Sequence, residues 1–248
     1  MKYSASILIP ARMASTRFPG KPLAPIEGIP MVVYCARNAI KTGLDVIVCT
    51  DSREINSVCE LYKIKSILTP EFNTGTDRIA WACDQIESEY IINLQGDEPL
   101  ISSDSIKKII NSLSDLERNK KLILNGITPV NSEEAFDPNN VKCAIIEENK
   151  KILYFSRKPL LNSDCVNNGD SYFKQLGLYA MSKNNLKRFA SLSQSNLEKS
   201  ERVELLRWIE NGNDIKACLI NKKSISVDTP QDLVSVIEKI EEEKIEKN

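Results

Sequence analysis

The chain has 248 residues, 42% of them hydrophobic and 27% charged, with 33 Lys+Arg against 34 Asp+Glu. That length supports one sizeable core, and a net charge of −1 with no basic cluster excludes a sequence-independent grip on nucleic acid. The sequence contains no histidine, which rules out a Ser-His-Asp triad, a Cys-His dyad and any His-based metal site. Catalysis must then rest on carboxylates, Lys or Arg, backbone amides, or a metal held by oxygen.

In chain order, Ser6–Pro10 is an apolar run that predicts a strand, followed by a Gly/Pro/Arg loop to about Pro30. Met31–Lys41 predicts a helix, Asp45–Thr50 a buried strand, Glu54–Tyr62 a helix, and Lys65–Thr69 a strand. Thr76–Glu87 reads as a helix, Tyr90–Gln95 as a strand, and Ser103–Arg118 as a helix with Ile106, Ile109, Ile110 and Leu113 at core spacing. Alternating β and α signals with continuous apolar strands predict a parallel sheet with helices on both faces. Beyond Leu122 the strands (Ile123–Thr128, Val141–Ile146, Ile152–Ser156, Gln175–Met181) are separated by loops. Helices at Asn184–Ala190 and Glu198–Asn211, a strand at Ile215–Ile220 and a helix from Pro230 close the chain. The expected fold is α/β, Rossmann-like and doubly wound, in one domain. Its nucleotide-binding half covers about 1–120 and a mixed second half about 121–248, with Asp228 returning to the site.

The seven cysteines are scattered without a CxxC pair and read as reduced, small core residues. The N-terminus carries no apolar leader, and no run of 18 apolar residues occurs, so a cytoplasmic protein without a membrane span is expected.

Four segments carry the chemistry, each leaving a predicted strand end, where ligands collect in open α/β sheets. After the first strand, Pro10 and Ala11 lead into a loop that places Arg12, Arg17 and Lys21 within ten residues, with Ser15 between them. This suits a polyphosphate, Arg giving forked contacts and backbone amides the rest. It is neither GxxxxGK[ST] nor GxGxxG. Thr74-Gly75-Thr76-Asp77-Arg78 opens a helix, with Thr74 placed to cap it and bare amides facing outward. Gln95-Gly96-Asp97-Glu98-Pro99 puts an acid just past a buried strand, a position suited to Mg²⁺ beside phosphates. Asp228-Thr229-Pro230-Gln231-Asp232 ends a short apolar run with Pro at a first helical position. Taken singly, these segments also fit a surface loop, a capped helix, a turn and a helix start.

Together they resemble one family. Ile9-Pro10-Ala11-Arg12 through Pro19-Gly20-Lys21-Pro22-Leu23, then Thr74–Arg78, Asn93–Pro99, Glu134–Lys142, Leu153–Arg157 and Val227–Leu233 are similar, in order and spacing, to the 3-deoxy-manno-octulosonate cytidylyltransferases. The resemblance covers nearly the whole chain. It implies CTP and an acidic ulosonic sugar as substrates, Mg²⁺ as cofactor, a CMP-sugar and pyrophosphate as products, and a homodimer with a smaller dimerisation lobe. By the same resemblance Arg12, Ser15, Arg17 and Lys21 would hold the triphosphate. Thr74, Gly75, Thr76 and Arg78 would line the cytidine, and Asp97 and Asp228 the metal. Gln95, Arg157, Gln175, Tyr179 and Glu204 would surround the sugar. Two departures bear on that sugar: the family usually has His where Gln175 stands, and Ile-Pro where the chain has Leu160-Leu161. A modified sugar such as an 8-amino analogue, or another ulosonic or nonulosonic acid, is therefore an alternative acceptor. A non-catalytic nucleotide-binding protein on the same fold is the non-enzymatic alternative, disfavoured by intact Lys21, Asp97 and Asp228.

Overall fold

A computed structural model describes residues 3–160, 172–222 and 224–245. Leu161 and Cys165 lie outside the described residues. The chain divides into two compact units, Met1–Lys107 with Ser224–Asn248, and Lys108–Lys223. The returning segment with Asp228 therefore belongs to the same unit as Asp97.

The first unit is organised on four parallel strands, β1 (Ala5–Ala11), β4 (Asp45–Thr50), β5 (Lys65–Leu68) and β6 (Tyr90–Leu94), in the order β5-β4-β1-β6. Ile7 is registered on both Val46 of β4 and Ile92 of β6. All residues of β1 and β6, and all of β4 but Asp45, are buried. Full burial on both faces is why these strands read as unbroken apolar runs rather than alternating ones. The chain moves outward from β1 through β4 to β5, then crosses back to β6 on the other side of β1. The strand order thus reverses at β1, and loops leaving β1 and β6 emerge at that switch point, the usual ligand crevice of open α/β sheets.

Within the loop after β1 lie a short 3₁₀ turn (Lys21–Leu23) and a two-residue hairpin, β2 (Pro25–Ile26) with β3 (Ile29–Pro30), which the sequence pattern does not reveal. Helix α1 (Met31–Ile40) follows. Helix α2 (Arg53–Leu61) is capped by Ser52 Oγ, which accepts from Ile55 N at 3.3 Å. Helix α3 (Gly75–Ala82) stops earlier than its periodicity suggests, tightening into a 3₁₀ turn at Cys83–Gln85. The predicted helix over Ser103–Arg118 is two helices, α4 (Ser103–Asn111) and α5 (Ser114–Arg118). Ser112 Oγ donates back to Lys108 O at 3.0 Å where they part, an alternative to the helical ladder.

The second unit contains β7 (Leu122–Val130), β8 (Lys142–Ile146), β9 (Lys151–Ser156), β10 (Tyr172–Ser182) and β11 (Asp214–Leu219). Their order is β10-β7-β11-β9-β8, with β10 also pairing β8 to complete a circuit. β7 and β11 run parallel and the remaining pairs antiparallel, giving the mixed sheet expected here. A short helix, α6 (Ser132–Phe136), was not expected; α7 (Lys183–Ser191) follows β10. The predicted helix over Glu198–Asn211 is also two, α8 (Asn196–Glu201) and α9 (Leu205–Glu210). Arg202 breaks it by taking a left-handed conformation, φ 55°. A buried pair then ties the two pieces, Arg207 donating to Glu198 from Nε at 2.8 Å and Nη2 at 2.6 Å. Pro230–Ile245 forms the closing helix α10, part of the first unit.

Candidate active site

Pro10, near the end of β1, is the floor on which two loops rest. A Cβ at Gly75 would come within 3.1 Å of the Pro10 ring, and one at Gly96 within 3.0 Å of Pro10 O. Both contacts are tighter than an ordinary Cβ contact, so a larger residue at either position would have to displace its neighbour by a few tenths of an ångström. This packing brings the start of α3 and the loop after β6 against the β1 loop. Thr74 caps α3, its Oγ1 accepting from Asp77 N at 3.1 Å, as its place in the sequence suggests.

The Asp97 loop is joined to the returning segment by a set of bonds. Val227 N donates to Asp97 O at 2.8 Å, while Ser224 Oγ and Ser226 Oγ each donate to the Glu98 carboxylate at 2.8 Å. Lys21 Nζ then donates to Asp97 Oδ2 and to Val227 O, both at 2.7 Å, and lies 3.7 Å from Asp228 Oδ1. Arg17 Nη2 meets the same Asp228 oxygen at 2.9 Å. Asp228 is oriented from below by Asp232, whose Oδ2 accepts from Asp228 N, Thr229 N and Thr229 Oγ1 at 2.7–2.9 Å. The Thr229-Pro230-x-Asp232 string is thus a helix start that also presents Asp228.

Lys21, Asp97 and Asp228, separated by up to 207 residues in sequence, converge on one spot. The Lys21 side chain is only 13% exposed, whereas the two carboxylates are about one-third open, at 31% and 30%. A single ammonium gathers both carboxylates, which marks the place where a compact cation is electrostatically favoured. Among the described residues no cluster of three or more His, Cys, Asp or Glu forms. Two carboxylates with room for further oxygen donors match Mg²⁺, which takes one or two carboxylates and completes its shell with phosphate oxygens and water. The donor set fits that ion.

The same unit contains a cavity of about 740 Å³ lined by Arg12, Ala14, Asp51, Ser52, Phe72 and Asp77 among others. Arg12 extends over it, donating to Asn73 O at 3.2 Å. Ser15 shapes its own loop, accepting from Phe18 N at 3.3 Å. Arg78 departs from expectation. Its guanidinium is 1% exposed, donating to Thr69 Oγ1 at 2.6 Å and pairing with Asp51. Asp51, rather than Arg78, lines the cavity. Gln95 is half-buried beside Gly75 and donates to Asn93 Oδ1 at 3.4 Å.

In the second unit, Gln175 and Tyr179 share the half-buried face of β10, alternating with buried Leu176, Leu178 and Ala180, and the register shifts between them. Glu204 is half-buried immediately before α9. Arg157 donates Nε to Glu201 O at 3.0 Å, Nη1 to Pro138 O at 3.0 Å and Nη2 to Arg202 O at 3.4 Å. Three of its five N–H groups are thereby met by backbone carbonyls, leaving one N–H on each Nη for a forked grip on a sugar carboxylate.

Asp51 and Glu98 were not singled out in the sequence. Asp51 follows the end of β4 as Asp97 follows β6, so the rule that drew attention to Asp97 applied equally to it. Glu98 gave no separate signal, because its partners lie 126 and 128 residues away.

Residues 6–215 match a family model described as Cytidylyltransferase. A 3-deoxy-manno-octulosonate cytidylyltransferase of Chloroherpeton thalassium is 40% identical over 240 residues, 94% of this chain and 96% of that protein. An 8-amino-3,8-dideoxy-manno-octulosonate cytidylyltransferase of Shewanella baltica is 38% identical over 236 residues, 93% of this chain and 96% of its own length. A solved structure of a CMP:2-keto-3-deoxy-manno-octonic acid synthetase complexed with CTP superposes with a TM-score of 0.87 at 31% identity, covering 96% of this chain and 99% of that one. Motifs, geometry and relatives agree: the chain belongs to the 3-deoxy-manno-octulosonate cytidylyltransferase family.

Proposed function

We propose that the chain transfers CMP from CTP to the anomeric 2-hydroxyl of 3-deoxy-D-manno-octulosonate (Kdo), releasing pyrophosphate. The convergence of Lys21, Asp97 and Asp228 on one point carries this reading, and the likeness to a CTP-complexed synthetase supports it. In this reaction the sugar oxygen bonds to the α-phosphorus as the bond to pyrophosphate breaks. Asp97 and Asp228 would hold Mg²⁺, which supplies Lewis acidity at the α-phosphate and lowers the pKa of the attacking hydroxyl. Lys21 and Arg12 offset charge spreading onto phosphoryl oxygens and leaving group, with Arg17 and Ser15 on the same loop. With no histidine in the chain, the hydroxyl proton passes to a carboxylate or to water. Pro10, Ala11, Thr74, Gly75, Thr76 and Gln95 surround the nucleotide, while Arg78 acts through Asp51.

Gln95, Arg157, Gln175, Tyr179 and Glu204 are assigned to the sugar. Gln175, standing where the family usually has His, together with the 8-amino relative, favours a second reading in which the acceptor is the 8-amino analogue of Kdo. Gln keeps a donor and an acceptor but carries no charge. A doubly wound sheet with a dimerisation lobe, a cytoplasmic homodimer and a place in lipopolysaccharide synthesis accompany this assignment. No helix among the described residues is long and apolar enough to cross a membrane. The test is a panel of ulosonic acids at fixed CTP, following pyrophosphate. Release with Kdo or its 8-amino analogue is expected; no release with any ulosonic acid would overturn the reading.

A further inference from the structure

Glu98 is a buried carboxylate, 3% exposed, that the reaction as written does not use. A carboxylate out of water is costly unless its lone pairs are met by donors. Its two oxygens are met one apiece, Oε2 by Ser224 Oγ and Oε1 by Ser226 Oγ. The two donors lie two residues apart in the segment that joins β11 to α10. Asp228 follows two residues after Ser226, and it reaches Lys21 and Arg17. The intervening Val227 is fully buried and bonds the Asp97 backbone. Glu98, adjacent to Asp97, therefore ties the segment that carries Asp228 to the loop that carries Asp97.

We infer that Glu98 is a positioning residue that sets Asp228 against Asp97, an assignment that rests on reading these two aspartates as the metal-holding pair. Glu98 acts through two serines on the distance between the two carboxylates that must close on one cation. Loss of the clasp should weaken the cation more than the nucleotide, because the Arg12 loop and the start of α3 are held by other bonds.

The experiment uses the full chain and measures Mn²⁺ affinity by electron paramagnetic resonance with CTP present, alongside CTP affinity in chelator. In Glu98→Ala two charge-assisted bonds are lost, and Mn²⁺ affinity should fall at least about tenfold. Metal-free CTP affinity should stay within about twofold. Glu98→Gln, whose amide accepts from one serine and donates to the other, should recover Mn²⁺ affinity to within about threefold of wild type. Unchanged Mn²⁺ affinity in folded Glu98→Ala, or an equal fall in both affinities, overturns the inference. If Glu98→Ala does not fold, the chain carrying both Ser224→Ala and Ser226→Ala faces the same criteria. Absence of CTP-linked Mn²⁺ binding in the wild type would instead remove the metal reading itself, and this inference with it.

Discussion

Replacing Asp97 by Asn separates catalysis from folding. The substitution keeps the side-chain shape and leaves the Val227 N to Asp97 O bond intact, because that bond is made by backbone. What it removes is the charge facing Lys21 at 2.7 Å. Lys21 retains Val227 O at 2.7 Å and Asp228 at 3.7 Å, so it is not left unpaired. With Asp97 one-third exposed, the lost ion pair is partly screened. Its net worth is about 1–2 kcal/mol, which lowers the melting temperature by about 2–8 °C in a protein of this size. The catalytic cost is much larger. A metal at a phosphoryl centre supplies several kcal/mol of transition-state stabilisation, and at about 1.4 kcal/mol per decade its loss lowers kcat by about a thousandfold or more. Steady-state pyrophosphate release and thermal unfolding, measured on the same preparation, check both figures. Turnover close to wild type, or lost turnover accompanied by a collapsed melting transition, would refute the role given to Asp97.

Further outcomes follow from other parts of the structure. Arg78→Ala leaves Asp51 without its buried partner and should cost about 3–5 kcal/mol in urea unfolding, while Asp51→Asn should raise the KM for CTP through the cavity wall. Gln175→His should change the sugar KM or selectivity more than the CTP KM; an equal change in both would place Gln175 in the wrong subsite. Burial raises the thiols of Cys49 and Cys143 to about 12 and of Cys59 to about 11, from 9.0. Their folded pKa values exceed the unfolded one, so the stability they contribute is complete below pH 9 and is lost as pH rises through 11–12. The urea midpoint should therefore fall across that window, and these thiols should resist alkylation at pH 8 in the native state.

Much of the first unit is legible because β1, β4 and β6 are buried on both faces and the turns are marked by Gly and Pro. Asp45–Thr50 was read at its true ends for this reason. The breaks were not legible. Arg202 adopts a left-handed backbone that a β-carbon normally disfavours, and nothing in the apolar spacing from Leu197 to Trp208 announces it. Its surroundings do: Arg157 reaches the carbonyls of Glu201 and Arg202, and Glu198 pairs with Arg207 across the break. The candidate site divides similarly. Asp97 lies just past β6, a local and readable rule, whereas Lys21 stands in a 3₁₀ turn of the loop after β1 and Asp228 in the non-strand segment before α10. The partners that place them, Glu98 with Ser224 and Ser226, are contacts across more than 120 residues. Arg78 and Arg157 were identified as cations of interest, but which acceptors they meet depends on tertiary structure, and both meet protein.

Cytidylyl transfer at the Lys21–Asp97–Asp228 site can be followed by ³¹P NMR of CTP with Kdo or its 8-amino analogue and Mg²⁺. One sugar-nucleotide phosphodiester resonance and one pyrophosphate are expected for each CTP consumed, both absent with Asp97→Asn. Formation of CDP and phosphate, or unchanged CTP with either sugar, would contradict it.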